Sequence, residues 1–337
     1  MSYVARWDLD KTYLRTDFDT LRDLVRTAVE RPDQKRTVPG AAALMREIAR
    51  ARIPVHILSG SPEQLRGRVV EKLRLDGVRF ASLTLKPNLQ NLLRLRLRAL
   101  RGQLGYKLPA LLRGRCELPA QRDARGELVR EFLLGDDAEA DAFVYSLYAD
   151  LCRGVVGAEL LAAVMRQSRA YDDDIADAQR MAAYIEPGPV VGRILIHLER
   201  QSLPGDFAVY GSRVVPFYNY LQAAFVLQED GCLGAPAVLR VAQDLAGAHH
   251  FDGGSLARSY LDLARRGHAA GAGIGALSEA FSTLVQQGPA RAASELGEMV
   301  SLLVQARTEL PPPPSVREPR IDYLALVPSH DPRRSKT

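Results

Sequence analysis

Two aspartates, Asp8 and Asp10, stand one residue apart behind the short apolar run Tyr3-Val4-Ala5. Side chains on a strand alternate between its two faces, so residues two apart project the same way. If this run is a strand, its end presents a carboxylate nucleophile beside a second carboxylate that can handle protons. The Asp-x-Asp pattern also occurs in turns and calcium-binding loops, so by itself it leaves the chemistry open.

A hydroxyl-rich segment, Leu58-Ser59-Gly60-Ser61-Pro62, ends the second predicted strand. The Ser59 hydroxyl, with the free backbone amides from Gly60 onward, faces the start of a predicted helix and would donate to phosphoryl oxygens. The alternative is structural: Ser61 would be the N-cap of a helix over 62–73.

Lys107 is predicted to open a helix ahead of the next strand, and Lys86 is a rival for the same cationic role. A lysine most often lies on a solvated surface, which is the alternative for either residue.

Four acids follow the last predicted strand of this half, in Gly135-Asp136-Asp137-Ala138-Glu139-Ala140-Asp141. Carboxylates this dense repel one another unless a cation neutralises them, and hard oxygen ligands suit Mg²⁺ with a substrate phosphate. The alternative is the start of a helix, where acids complement the helix dipole.

In order and spacing, the four motifs resemble those of the haloacid dehalogenase (HAD) superfamily of phosphotransferases over residues 3–145. With Val38-Pro39-Gly40 and Tyr145 added, they look closest to the phosphatidate phosphatase catalytic domain associated with yeast actin patches. Two positions depart from that pattern: Lys11 replaces a small or acidic residue, and Asp137 replaces a serine. The second departure weakens the inference of a lipid substrate more than that of a phosphatase.

The resemblance implies a Mg²⁺-dependent phosphomonoester hydrolase. Asp8 would attack phosphorus, form an aspartyl-phosphate and bind the metal, and Asp10 would transfer protons and bind the metal through its carbonyl. The remaining roles would fall to phosphate-binding Ser59, Gly60 and Lys107 and to metal-binding Asp136, with Asp137 or Asp141 as the second acid of the metal site. Thr12, Asp137 and Asp141 are the supporting residues.

Apolar strands alternating with amphipathic helices predict an α/β fold with a Rossmann-like parallel sheet over residues 1–150, HAD-like by the resemblance. Every motif above falls at the carboxyl end of a predicted strand, where such folds bind ligands. From residue 151 to 310, alanine, leucine and arginine at helical spacing predict an appended all-α domain. Its predicted helices are 142–166, 173–184, 190–201, 216–228, 236–247, 255–265 and 276–308. Residues 311–337 are predicted to be a proline-rich, basic tail.

Composition excludes several classes of protein. Among 337 residues with a net charge of +5, no apolar run resembles a signal peptide or a membrane span. Three widely spaced cysteines predict neither disulfides nor zinc, so a cytoplasmic location is expected.

A basic segment over 93–101 bears on the substrate. Arg94, Arg98 and Arg101 share one face of a predicted helix, which could lie peripherally on an anionic membrane or be a surface helix of the core. No large insertion separates the motifs, so an open site for a bulky phosphomonoester is expected unless the helical domain serves as a lid. A lipid phosphate such as phosphatidate is favoured, with a protein, a nucleic-acid end or a non-catalytic binding module as alternatives.

Two other polar clusters are interpreted structurally. The acids of 173–177 suit a helix start, and His249-His250-Phe251-Asp252 suits a loop that ends one helix before the next.

Overall fold

Six strands form the sheet around which the chain is organised in the computed structural model. It describes residues 2–14, 37–86, 100–117, 121–284, 290–312 and 318–330. The strands are β1 (Tyr3–Asp8), β2 (Val55–Pro62), β3 (Ser82–Lys86), β4 (Arg130–Asp136), β5 (Val191–His197) and β6 (Val214–Phe217). All neighbouring pairs are parallel, in the order β3-β2-β1-β4-β5-β6. The expected α/β fold with a parallel sheet is therefore confirmed.

Helices cover both faces of this sheet. They are α1 (Ala41–Arg50), α2 (Arg66–Leu75), α3 (Leu100–Cys116), α4 (Asp141–Cys152), α5 (Ala158–Gln167), α6 (Asp172–Ala182), α7 (Tyr220–Glu229), α8 (Ala235–His249), α9 (Gly253–Arg265), α10 (Ile274–Leu284), α11 (Ala290–Ala306) and α12 (Tyr323–Leu326). Short 3₁₀ turns lie at Glu63–Leu65, Pro204–Tyr210, Arg307–Glu309 and Val327–His330.

Strand alternation divides the apolar residues into two cores. Phe132 and Leu134 of β4 face one core with α1, α2 and α7 to α11. Leu133, between them, faces the other with α3 to α6. Because both faces are covered, the strands are rich in apolar residues on both sides, and the charged residues Arg6 and Glu131 are buried as an ion pair.

The prediction of a helix over 190–201 was wrong, because residues 191–197 form β5. Ile194, Leu195 and Ile196 are fully buried, with Leu195 in one core and its two neighbours in the other. A short apolar run that is buried on both sides has no period to separate strand from helix.

The expectation that residues 151–310 are all helical was also wrong. Both β5 and β6 lie in this part of the chain and continue the same sheet beyond β4. The remaining predicted helices of this half correspond to observed ones, although 142–166 and 276–308 are each two helices.

The carboxyl ends of β1 and β4 meet where the strand order reverses. From β1 the chain continues outward to β2 and β3, whereas β4 to β6 lie on the opposite side. Crevices at such a switch point are where open α/β sheets bind ligands. Asp8 ends β1 and Asp136 ends β4, so the fold places both at this point.

Part of the predicted tail packs against the body of the protein. Ile321, Tyr323 and Val327 are buried in the second core, and the Tyr323 hydroxyl donates to Asp150 at 2.7 Å. The predicted tip over 331–337 lies outside the described residues, as do Arg94, Arg98 and the side chain of Arg101.

Within the described part of the chain, no helix combines the length and apolar character that crossing a bilayer requires.

Candidate active site

Asp8 and Lys107 form a buried ion pair at the carboxyl edge of the sheet. Lys107 Nζ lies 3.1 Å from Asp8 Oδ1, and the side chains of both residues are 1% exposed. Asp8 is the last residue of β1 and pairs with Leu58 of β2 in the ladder. Lys107 reaches it from α3, which packs over the second core.

Lys107 lies inside α3 rather than opening a helix, which corrects the prediction. Gly105 lies within the helix, where the neighbouring helix leaves little room for a side chain. A Cβ atom at this position would lie 3.4 Å from Asp174 Cγ of α6. The glycine therefore permits close packing of α3 on α6 and does not end a helix.

Two further carboxylates share the Lys107 ammonium. Its Nζ lies 2.7 Å from Glu139 Oε2 and 2.5 Å from Asp141 Oδ1. Asp8, Glu139 and Asp141 each bring one oxygen within 4.8 Å of the others, an arrangement that can hold a metal ion. Carboxylate oxygens are the ligands that Mg²⁺ prefers in proteins.

The electrostatics follow from burial and from an excess of negative charge. Burial raises the pKa of Asp8 well above its usual range, an effect that Lys107 opposes and Asp141 reinforces. Burial also raises the pKa of Asp136 well above its usual range, and the charge of Asp141 adds to the effect. Burial alone would lower the pKa of Lys107, but Asp141, Asp8 and Glu139 together raise it well above its ordinary value. The three carboxylates therefore favour the charged form of the ammonium.

Asp10 is held by the serine segment at the end of β2. Ser59 Oγ donates to Asp10 Oδ2 at 2.7 Å, and Ser61 Oγ donates to Asp10 Oδ1 at 3.2 Å. Burial raises the pKa of Asp10, while these two hydrogen bonds and the Lys107 charge oppose the rise. A Cβ at Gly60 would lie 3.8 Å from Asp10 Oδ2, so this residue borders the same carboxylate.

Ser61 is not the N-cap of a helix, contrary to the structural alternative. The helix α2 begins at Arg66 after a 3₁₀ turn, and the Ser61 side chain turns to Asp10 instead.

Thr12 joins the ends of β1 and β4. Its hydroxyl lies 3.5 Å from Asp8 Oδ2 and 3.3 Å from Asp136 Oδ2. The turn that brings it back over β1 passes through Lys11, whose φ of 60° is in the left-handed region. Tyr220 of α7 supports this turn by donating its hydroxyl to the Thr12 carbonyl while its ring stacks on Trp7.

Asp136 and Asp141 are fixed by the turn after β4. Asp136 Oδ1 accepts the backbone N–H of Ala138 at 2.6 Å and that of Glu139 at 3.0 Å. Asp141 Oδ2 accepts the N–H of Asp136 at 3.1 Å. Gly135 is required for this approach, since a Cβ there would lie 2.7 Å from Asp141 Cβ.

Asp137 is not brought to the other acids. Its carboxylate accepts the backbone N–H groups of Arg200 at 2.8 Å and Ser202 at 3.0 Å, in the loop that follows β5. Of the two residues expected as a second acid, the structure brings Asp141 to Lys107 and assigns Asp137 to this loop.

Lys86 and Tyr106 line the side of the site nearest β3. The Tyr106 hydroxyl donates to the Ser59 carbonyl at 2.6 Å, and Lys86 Nζ lies 5.1 Å from the centre of the Tyr106 ring. The rival lysine therefore lies beside the serine segment, whereas Lys107 lies against Asp8.

Sequence reasoning missed three residues of the site: Glu139, Ser61 and Tyr106. Glu139 stands in the acidic run, and its spacing from Asp136 was the available signal. Tyr106 precedes Lys107 directly, but nothing in the sequence shows that its hydroxyl reaches β2.

The other two polar clusters have the structural roles expected of them. Asp172, Asp173 and Asp174 occupy the first turn of α6. His250 ends α8 with a left-handed φ of 59°, and Asp252 caps α9 by accepting the Ser255 N–H at 2.6 Å.

A divalent cation fits the charges of this site. Four buried or nearly buried carboxylates, Asp8, Asp136, Glu139 and Asp141, surround the Lys107 ammonium and carry more negative charge than it neutralises. Asp8 Oδ1 accepts no hydrogen bond from the described residues although it is buried. This oxygen is ion-paired with the Lys107 ammonium at 3.1 Å, but Glu139 and Asp141 share the same ammonium. A divalent cation would offset the excess of buried negative charge.

No protein-family model matches this chain, and no curated protein sequence matches it.

Proposed function

We propose that the protein is a Mg²⁺-dependent phosphomonoester hydrolase of HAD type that works through an aspartyl-phosphate. The proposal is carried by the convergence of Asp8, Lys107 and Asp141 at the strand switch point, beside an Asp10 that two serines orient. Asp8, Asp136 and the Asp10 carbonyl would hold the ion, and Glu139 and Asp141, which contact Lys107, would add negative charge to the site. When bound, Mg²⁺ offsets the negative charge of the phosphoryl oxygens.

In the first step an Asp8 oxygen forms a bond to phosphorus while the ester P–O bond breaks. Asp10 donates its proton to the departing alcohol oxygen, which its raised pKa favours. Lys107 and the Gly60 amide donate to the phosphoryl oxygens. The Ser59 hydroxyl, whose one proton goes to Asp10 Oδ2 here, would donate to a phosphoryl oxygen by giving up that bond, and Ser61 would then hold Asp10.

In the second step water attacks the aspartyl-phosphate. Asp10, now ionised, takes a proton from the water as the bond between Asp8 and phosphorus breaks. Inorganic phosphate leaves, and both carboxyl groups return to their first state. Dividing the hydrolysis at a covalent intermediate replaces one difficult step by two easier ones.

The test is phosphate release from phenyl phosphate with and without Mg²⁺. We expect release that requires Mg²⁺ and is lost by at least about 10³-fold in Asp8→Asn, since removing a covalent nucleophile typically costs that much or more. Asp173→Asn, an exposed acid in α6, is the matched control and should behave as the unmodified protein. A protein that releases no phosphate from any monoester, or an Asp8→Asn variant that keeps its activity, would overturn the proposal in favour of a non-catalytic binding module.

Substrate class is tested separately. Release from phosphatidate in vesicles, compared with soluble monoesters at equal phosphate concentration, separates the lipid substrate favoured by the sequence from other bulky phosphomonoesters. Preference for the vesicles would also support peripheral membrane binding through Arg94, Arg98 and Arg101.

A further inference from the structure

Lys86 is a second buried lysine at the site, and its surroundings differ from those of Lys107. It ends β3 opposite Pro62 of β2, and only 7% of its surface is exposed. Its ammonium lies over the face of the Tyr106 ring, 5.1 Å from the ring centre, which is a favourable distance for a cation–π interaction. Because Tyr106 bonds to the Ser59 carbonyl, the ammonium is held beside the serine segment.

No carboxylate of the described residues pairs with the Lys86 ammonium. The two other buried lysines among the described residues are both paired: Lys107 has three carboxylates within 3.1 Å, and Lys72 lies 2.8 Å from Asp76. A buried ammonium without a counter-ion is costly, and buried charges in proteins are normally paired. Within the part of the chain that the structure describes, Lys86 is therefore a lysine at the candidate active site without a carboxylate partner.

The direction in which the pKa of Lys86 shifts agrees with this geometry. Burial lowers its pKa, Glu139 and Asp10 oppose the effect, and the Lys107 charge adds to it. The charged groups of the site thus shift the pKa of Lys86, and an incoming anion would stabilise its ammonium form against the effect of burial.

Strand order shows which part of a substrate Lys86 can reach. Neighbouring strands lie about 4.8 Å apart, so β3 is roughly 10 Å from β1, with β2 between them. Lys107 already lies against Asp8, whereas Lys86 approaches from the side, past the serine segment. It is therefore placed to meet a group several ångströms from the phosphorus that Asp8 would attack.

We propose that Lys86 binds a second anionic group of the substrate, separate from the phosphoryl group that is transferred. The substrate class is a phosphomonoester that also carries a carboxylate or a second phosphate near the ester. This inference rests on the proposed function and narrows it, because phosphatidate has no second anionic group.

The experiment compares phenyl phosphate with its 2-, 3- and 4-carboxyphenyl analogues, which differ only in one carboxylate and its position. We expect the unmodified protein to prefer at least one carboxyphenyl phosphate by about 10-fold in kcat/KM, the order of a charge-assisted hydrogen bond. In Lys86→Met, which keeps the apolar stem without the charge, that preference should disappear. Lys86→Arg should restore part of it. Lys72→Met removes a buried lysine of α2 and is the control that should keep the preference.

Three outcomes would overturn the inference. These are no preference in the unmodified protein, a preference that Lys86→Met keeps, and a loss of activity in Lys86→Met that is equal for all four esters. The last result would assign Lys86 to the transferred phosphoryl group itself.

If the protein is not a phosphatase, the result differs from these three, since none of the four esters would then be hydrolysed. Calorimetric binding of phenyl and 3-carboxyphenyl phosphate to Asp8→Asn, with and without Lys86→Met, tests Lys86 without turnover. Equal affinities for the two esters in Asp8→Asn would overturn the Lys86 inference whether or not the protein is an enzyme.

Discussion

At the level of single residues, the buried carboxylates of the site lower the folding stability of the protein at neutral pH. A carboxyl group whose pKa is higher in the folded than in the unfolded chain binds its proton more tightly when folded. The stability it contributes is present below its unfolded pKa and is lost as the pH rises through its folded pKa. The pKa values of Asp8, Asp136 and Asp141 are all raised, so at neutral pH these groups oppose folding unless a cation is bound.

Asp136→Asn should therefore stabilise the protein in the absence of metal. Asparagine keeps an oxygen for the N–H groups of Ala138 and Glu139 but removes one buried negative charge. We expect the free energy of unfolding at pH 7.5 in EDTA to rise by about 1 kcal/mol, since one pKa unit corresponds to about 1.4 kcal/mol. Urea unfolding measures the change, and added Mg²⁺ should stabilise the variant less than the unmodified protein.

The same comparison near pH 5 should show a smaller difference, because the buried acids then carry part of their protons in either protein. Asp173→Asn, at an exposed position, should not change the effect of Mg²⁺. An Asp136→Asn variant that is less stable than the unmodified protein in EDTA would contradict the claim that this charge is destabilising.

Ser61 should tune the proton chemistry of Asp10. Its hydrogen bond stabilises the Asp10 carboxylate, so in Ser61→Ala the pKa of Asp10 should rise further. Because leaving-group protonation needs the acid form, the alkaline limb of the kcat/KM profile for phenyl phosphate should move to higher pH. Ser82→Ala, which removes a hydroxyl that pairs with His56, is the control. A shift to lower pH would mean that another group sets this limb.

The main acids and the lysine of the site could be found from sequence, but their detailed contacts could not. Asp8 and Asp10 are recognisable because strand alternation fixes where both point. The contact of Glu139 with Lys107 depends on how α3 rotates over the sheet, which tertiary packing decides. The contact of Ser61 with Asp10 depends similarly on the turn after β2.

At the level of elements, the dependence on tertiary packing also explains why β5 was wrongly predicted to be a helix. Strands β1, β2 and β4 were predicted because each is an apolar run that ends in a motif. Residues 191–197 have no such motif, and Gly192 and Arg193 interrupt the apolar run. Their burial between two helical layers is a property of the assembled sheet, which local periodicity does not carry.

The loop after β5 should depend on Asp137 for its order. Asp137 holds this loop by two backbone hydrogen bonds, at Arg200 and Ser202. In Asp137→Ala we expect tryptic cleavage after the exposed Arg200 to be about 10-fold faster, because the loss of two hydrogen bonds to a charged group favours local opening. The cleavage product is identified by mass spectrometry.

Asp206→Ala is the matched control, since this exposed acid lies in the next turn and should leave the cleavage rate unchanged. Equal cleavage of Asp137→Ala and the unmodified protein would show that other contacts order the loop. It would also reopen the expectation that Asp137 acts as a second acid at the metal.

At the level of the whole molecule, the sheet does not stop where the sequence predicted a domain boundary. The register pairs Glu131 to Asp136 of β4 with Val191 to His197 of β5, so β4 is an inner strand. On one face, Tyr220 of α7 stacks on Trp7 of β1 with ring centres 5.7 Å apart. The second half of the chain therefore covers the strands that carry Asp8 and Asp136.

A fragment of residues 1–150 should accordingly fail to fold on its own. It would expose the hydrogen-bonding edge of β4 and leave Trp7, Phe132 and Leu134 without the helices α7 to α9 that bury them. Exposed apolar surface and an unpaired edge favour aggregation over a native state. We expect no cooperative urea transition and no near-ultraviolet circular dichroism from this fragment, whereas a chain ending at residue 330 should show both. A cooperatively unfolding, catalytically active 1–150 fragment would instead establish the boundary near residue 150 and make the later helices an independent addition.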